Sequence, residues 1–179
     1  MADSSIGAIP RQNTVGRARI AEFRRVMGRF PTGVVVVAAS HLGRPYGMSV
    51  NSFASVSLDP LLLMFCASRE SSTWPYLRAA GQVAISVLGA DQEETCKTFA
   101  AKVADRFAAS PWSLSGSGQP VLDDAIAWFD CEIADVLPAG DHDIVLGRVL
   151  NMREGSGGEP LVFHRGRFTG LPANIHGDA

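Results

Sequence analysis

The chain has little of what marks several large protein classes. It carries three cysteines in 179 residues, Cys66, Cys96 and Cys131. An odd number at wide spacing gives neither a disulfide framework nor a set of zinc ligands. Cys66 and Cys131 sit in apolar runs and read as small buried hydrophobes, which fits a reducing, cytoplasmic setting. Neither charge is in excess: 16 basic against 18 acidic residues give a net charge of −2. That balance lacks the basic footprint of a nucleic-acid binder. No apolar run approaches the roughly 18 residues needed to cross a bilayer, so no membrane partner is expected. The longest runs, 34–40 and 61–67, are strand-length. Residues 1–16 hold no long apolar stretch and do not read as a signal peptide. A G-x-G-x-x-G turn, a P-loop, H-E-x-x-H and G-x-S-x-G are all missing. A nucleotide or flavin, if bound, is therefore held by something other than a Rossmann fold.

What is present is a globular composition, 46% apolar and 19% charged, at the length of one domain. Residues 1–16 are small and polar and read as a flexible arm, 17–171 as the domain, and 172–179 as a polar tail. Ile20, Phe23, Met27 and Phe30 predict an amphipathic helix over 18–29, stopped by Pro31. The β-branched run 34–39 predicts a strand. Residues 47–58 read as one extended stretch. Met48, Val50, Ala54, Val56 and Leu58 form its core face, Ser49, Asn51, Ser55 and Ser57 its polar face, with Phe53 the exception. After the turn at Asp59-Pro60, residues 61–67 read as a fully buried strand. Ser71-Ser72 is a candidate cap for a short helix through Ala80, and 92–102 a further helix. Residues 82–88, 127–137, 143–153 and 160–165 supply strands, and 103–124 is a Gly/Ser/Pro-containing excursion. About seven strands and three short helices, without βαβ alternation, predict a mainly β antiparallel barrel.

Candidate chemistry concentrates in four places. Ser49, Asn51, Ser52 and Ser55 offer short donors of the kind a flavin's pyrimidine edge requires, and Thr32-Gly33 offers close backbone approach. The competing reading is the solvated face of an edge strand. His142 stands between Asp141 and Asp143, whose carboxylates favour a protonated imidazole able to donate to a carboxamide or phosphate. The competing reading is a plain turn histidine. Lys102 and Arg106, four apart near a helix end, can meet one phosphate or simply solvate that face. Ser71 and Ser72, after Arg69, form a rival phosphate cradle. Trp74, Trp112 and Trp128 are assigned to core or interface.

In order, Phe30-Pro31-Thr32-Gly33-Val34, Gly47-Met48-Ser49-Val50-Asn51-Ser52-Phe53, Ser55-Val56-Ser57-Leu58-Asp59-Pro60, Asp105-Arg106-Phe107 and Gly140-Asp141-His142 resemble the flavin reductase-like, FMN-binding family. The segments Pro120–Leu122 and 160–166 also fit, and the resemblance spans about residues 18–171. It is nearest to the small reductase components of two-component flavin-dependent monooxygenases. The resemblance implies a Greek-key split β-barrel, with a few short flanking helices, forming a homodimer with flavin near the subunit interface. It implies NADH or NADPH as reductant of FMN or FAD, and reduced flavin diffusing to a partner monooxygenase. Carried over residue by residue, Thr32, Met48, Ser49, Val50, Asn51 and Ser55 would line the isoalloxazine and ribityl chain. Cys66, Ala67, Ser71 and Ser72 would continue toward the phosphate, Lys102 and Arg106 would reach it, and His142 would face the nicotinamide. The alternatives are a flavin-holding reductase of another acceptor, such as ferric iron, and a flavin-binding module without turnover.

Overall fold

The computed structural model describes residues 16–103, 105–155 and 157–171. The tail expected over 172–179, and the expected arm apart from Gly16, lie outside these residues. The elements run α1 (Arg17–Met27), β1 (Thr32–Gly33), β2 (Val35–His41), β3 (Arg44–Val50), β4 (Ala54–Leu58), β5 (Leu61–Ser68), α2 (Trp74–Ala80), β6 (Gln82–Val87) and α3 (Glu93–Ala100). Then follow β7 (Trp112–Leu114), β8 (Pro120–Leu122), β9 (Ala127–Ala139), β10 (His142–Glu154), β11 (Val162–His164) and β12 (Arg167–Thr169).

Seven strands form one antiparallel sheet in the order β3-β2-β6-β9-β10-β5-β4. Its two edge strands, β3 and β4, are joined by residues 51–53 alone. Four Cα steps reach roughly 14 Å, whereas a flat seven-strand sheet separates its edges by about 29 Å. The sheet therefore curls until β3 comes back toward β5, without a hydrogen-bonded ladder between them. The long β9–β10 hairpin makes this possible. Its lower part, from Ala127 to Glu132 of β9, pairs with β6, while His142 to Arg148 of β10 pair with β5. Register shifts at Leu146/Gly147 and Val149/Asn151 flank the changeover at the Arg148–Glu132 pair, and bulges of this kind bend a strand.

Inside the curl lies a core of Val35, Val37, Met48, Leu63, Phe65, Ala67, Leu77, Ile85 and Val145. A second cluster, with Val34, Val36, Phe99, Phe107, Leu122 and Leu161, packs on the outer side of β2. Residues Val34 to Ala39 are thus buried on both faces, which is why their sequence is a continuous apolar run.

Three expectations need correction. The stretch 47–58 is two strands, because Ser52 leaves the ladder: its Oγ accepts the Cys66 N–H at 2.8 Å and donates to the Cys66 carbonyl at 3.4 Å. The apolar residues of β4 do not reach the core, with Val56 48% and Leu58 83% exposed. Residues 61–67 alternate rather than being wholly buried: Leu63, Phe65 and Ala67 point inward, while Cys66 is only half-buried. The excursion 103–124 contains the small β7–β8 hairpin.

Candidate functional site

The break at 51–53 opens a groove of about 510 Å³ between β3, the end of β5, the 68–72 turn and the end of α3. Most of the expected residues line it: Met48, Ser49, Val50, Asn51, Ser52, Cys66, Ser71, Ser72, Lys102, Arg106 and His142. The end of β3 and the break after it line the groove continuously from Met48 to Ser52, while β5 contributes alternate residues. Cys66 and Ser68 face the groove, and Ala67 between them is fully buried in the core. Ala67 is therefore not a lining residue. Ser55, exposed on β4 opposite Leu63, and Gly33, paired with Val162 in β1, also lie off the groove.

Several lining side chains are already engaged. Ser71 Oγ accepts the N–H groups of Thr73 and Trp74, each at 3.2 Å, which ties it to the start of α2, while Ser72 stays exposed. The Ser49 hydroxyl hydrogen-bonds Cys96 of α3, whose thiol burial pushes up in pKa. Arg69, just before Ser71 and Ser72, is tied to β10: its Nε donates to Asp143 Oδ1 at 2.7 Å.

Arg106 differs most from its expected role. Helix α3 ends at Ala100, so Lys102 and Arg106 do not share a helical face. The Arg106 Nε and Nη2 donate to the Ala101 carbonyl at 2.9 and 2.7 Å, and Nη1 to the Gly47 carbonyl at 2.7 Å and to the Thr73 hydroxyl. It clamps the segment after α3 onto β3 and α2. Lys102 is exposed at the groove and bonds no described residue.

His142 opens β10, opposite Ser68 and Ala139, rather than lying in a loop. Its Nδ1 is 2.8 Å from Asp141 Oδ1, and its side chain is 44% exposed. The other flanking carboxylate, Asp143, turns inward to Arg69 and Trp74 and is lost to the imidazole.

Asn51 and Ser52 also border a second hollow, about 640 Å³, with Thr32 and the apolar Phe23, Met27, Phe30 and Phe163. Thr32 Oγ1 is buried there without a partner. A smaller hollow of about 210 Å³ brings Phe163 and Phe168 beside Ser49, Val50 and Asn51. Sequence reasoning did not place these two phenylalanines at the site. The signal was the Arg165-Gly166 turn, at φ of 53° and 76°, which folds β12 back on β11 and brings the rings within 5.2 Å, tilted at 54°.

Residues 27–172 match the model of the flavin reductase like domain. The chain belongs to that family. It is 41% identical over 152 residues to a flavin reductase of Pseudomonas putida, covering 84% of this chain and 89% of that protein. It is 37% identical to the reductase subunit of a flavin-dependent monooxygenase from Rhodococcus jostii, covering 83% and 76% of the two chains. Among solved structures it resembles the NADH:FAD oxidoreductase of Streptomyces globisporus, determined with NAD and FAD fragments. The TM-score is 0.84 at 35% identity, covering 92% and 99% of the two chains.

The residues fit such a ligand. A planar ring with one polar and one apolar edge needs short donors beside an apolar wall, and its phosphate needs a cation. Asn51 and the unpartnered Thr32 hydroxyl stand beside Phe163, and Lys102 stands along the groove. Among the described residues no cluster of three or more metal-ligating side chains occurs, and no helix is long and apolar enough to cross a membrane.

Proposed function

We propose that the chain is an NAD(P)H:flavin oxidoreductase that passes hydride from a nicotinamide to FMN or FAD and releases reduced flavin to a monooxygenase. The observation that carries the reading is the groove at 51–53: Lys102 lies along it, and through Asn51 and Ser52 it adjoins the hollow that holds the unpartnered Thr32 hydroxyl and Phe163. The curled, unclosed sheet is read as the split barrel of that family.

Bound flavin would supply the redox chemistry, with the protein contributing position and electrostatics. Thr32, Asn51 and the neighbouring backbone N–H groups hold the polar edge of the ring and stabilise negative charge there. Phe163 and Val50 exclude water from its apolar side. Lys102 holds the phosphate, and His142 orients the nicotinamide. No side-chain nucleophile is needed. The groove opens to solvent, which suits a flavin that comes and goes.

A homodimer is part of the same reading. Helix α1 buries none of its residues, leaving Phe23 65% and Met27 50% exposed, with Phe30 just beyond it 67% exposed, around the 640 Å³ hollow. Val56 and Leu58 of β4 are exposed as well. An apolar face of this kind marks an interface, and a second copy seated on it completes the flavin site.

Oxidation of NADH and NADPH, followed at 340 nm with FMN, FAD and riboflavin in parallel, tests the function. Turnover that depends on added flavin is expected. Binding of no flavin, with no flavin-dependent turnover, would sink the proposal. Flavin bound so tightly that it survives dialysis would favour a reductase with a resident flavin and another acceptor.

A further inference from the structure

A hollow of about 390 Å³ adjoins the groove and shares Ser72 and Arg106 with it. Its far wall is built from the chain's two tyrosines, Tyr46 of β3 and Tyr76 of α2. Their rings are stacked, with centroids 4.1 Å apart and planes at 12°. Tyr46 packs against the main core, but Tyr76 remains 41% exposed. A stacked pair that keeps so much surface in water is only partly explained by core packing. Arg44 stands exposed at the same hollow, and its guanidinium bonds no described residue. The carboxylate of Asp105, also at this hollow, has one oxygen turned to the backbone N–H groups of Phe107 and Ala108.

An aromatic wall beside a free cation is the chemistry that takes a purine and its ribose phosphate. The two shared residues fix where a ligand would cross. Ser72 lies at the boundary with its hydroxyl exposed, and Lys102 lies on the groove side. A flavin whose ring sits at Asn51 and whose phosphate sits at Lys102 has its next phosphate at this boundary, and whatever follows enters the tyrosine hollow.

We infer that the tyrosine hollow receives the adenylate half of a flavin dinucleotide, so that the protein prefers FAD to FMN. The inference rests on the proposed flavin site. Calorimetric titration of FAD and FMN into the intact protein tests it, with Arg44→Ala, Tyr76→Ala and Tyr76→Phe as variants. Wild type is expected to bind FAD about tenfold more tightly than FMN, the scale of one base stacked on an aromatic ring. Arg44→Ala and Tyr76→Ala are expected to bring that ratio to within about threefold by weakening FAD alone, while Tyr76→Phe keeps it. Arg44 is exposed in a turn-flanking position, so its variant reports even where a tyrosine variant fails to fold. Equal affinities in wild type, or variants that weaken both flavins alike, overturn the inference and leave the flavin site standing. Unchanged FAD affinity with a raised KM for NADH in an FMN-supported assay overturns it too, by giving the adenylate to the nicotinamide nucleotide. Failure of both flavins to bind wild type removes the flavin site itself.

Discussion

The indole N–H of Trp74 donates to Asp143 Oδ2 at 2.9 Å, tying the start of β10 to the first residue of α2. The second oxygen of Asp143 takes the Arg69 Nε at 2.7 Å. One buried carboxylate thus fastens together three segments that frame the groove: β10, the 68–72 turn and α2. Burial alone would raise its pKa, but the hydrogen bonds from Arg69 and Trp74, with the charges of Arg69 and Arg78, outweigh burial and hold it below the usual carboxylate range. A depressed native pKa means that the ionised form stabilises the fold. That stability is complete above the unfolded pKa of about 3.9 and is lost as pH falls through the native value. Asp143→Asn is expected to cost about 2 kcal/mol at pH 7 and to flatten the fall in Tm below pH 4. Thermal unfolding between pH 3 and 7 checks both. A variant whose acid limb matches wild type would show that other carboxylates govern it.

How much of this was legible in the sequence depends on whether the decisive contact is local. Residues 34–39 announce a strand buried on both faces through their own composition. The ordered segments from Pro31 to His142 announce the family. The break at Ser52 does not show, because it depends on a backbone partner at Cys66, fourteen positions away. The alternation of Val56 and Leu58 is real, but a period of two cannot tell a core face from an apolar face left exposed. The spacing of Lys102 and Arg106 predicts a shared phosphate, but a spacing of four means something only on a helix. The chain leaves the helix at Ala100, and Arg106 is then drawn to the carbonyls of Ala101 and Gly47.

Lys102 and Arg106 are therefore expected to separate under mutation. Lys102→Ala should leave Tm unchanged, weaken FMN binding about tenfold and leave riboflavin, which lacks the phosphate, unaffected. Arg106→Ala should cost about 2 kcal/mol by stranding the carbonyls of Gly47 and Ala101, and should weaken FMN and riboflavin together as the groove wall loosens. Arg106→Lys should not restore it, since one ammonium cannot span the same acceptors. Equal losses of riboflavin and FMN in Lys102→Ala would remove the lysine from the phosphate.

Gly47 is a packing requirement rather than a turn. A Cβ there would lie 2.7 Å from Phe99 Cε1 and 3.1 Å from Phe107 Cζ, two rings held edge to face at 4.9 Å. Gly47→Ala is expected to cost about 1–3 kcal/mol by pushing α3 off β3. Phe99→Leu should make room for the methyl group, so the double variant should be more stable than the sum of the single losses implies. Chemical denaturation of the four proteins gives the coupling; strict additivity would show that the methyl group is absorbed elsewhere.

His142 is expected to act on the nicotinamide and not on the flavin. Its ring is held by one hydrogen bond, to Asp141, and the rest of it remains open at the groove edge. Removing an imidazole that is half exposed and outside the core should leave the fold intact. His142→Ala is therefore expected to keep Tm and the FMN Kd of wild type, while the KM for NADH rises, or flavin reduction slows, by about tenfold, the scale of one hydrogen bond. His142→Gln, which keeps a donor at similar reach, should recover part of that loss. Asp141→Asn should produce a smaller change in the same direction, because it frees the ring to rotate. Stopped-flow reduction of bound flavin separates the KM effect from the hydride step. If both parameters stay at wild-type values, the imidazole has no part in the reaction.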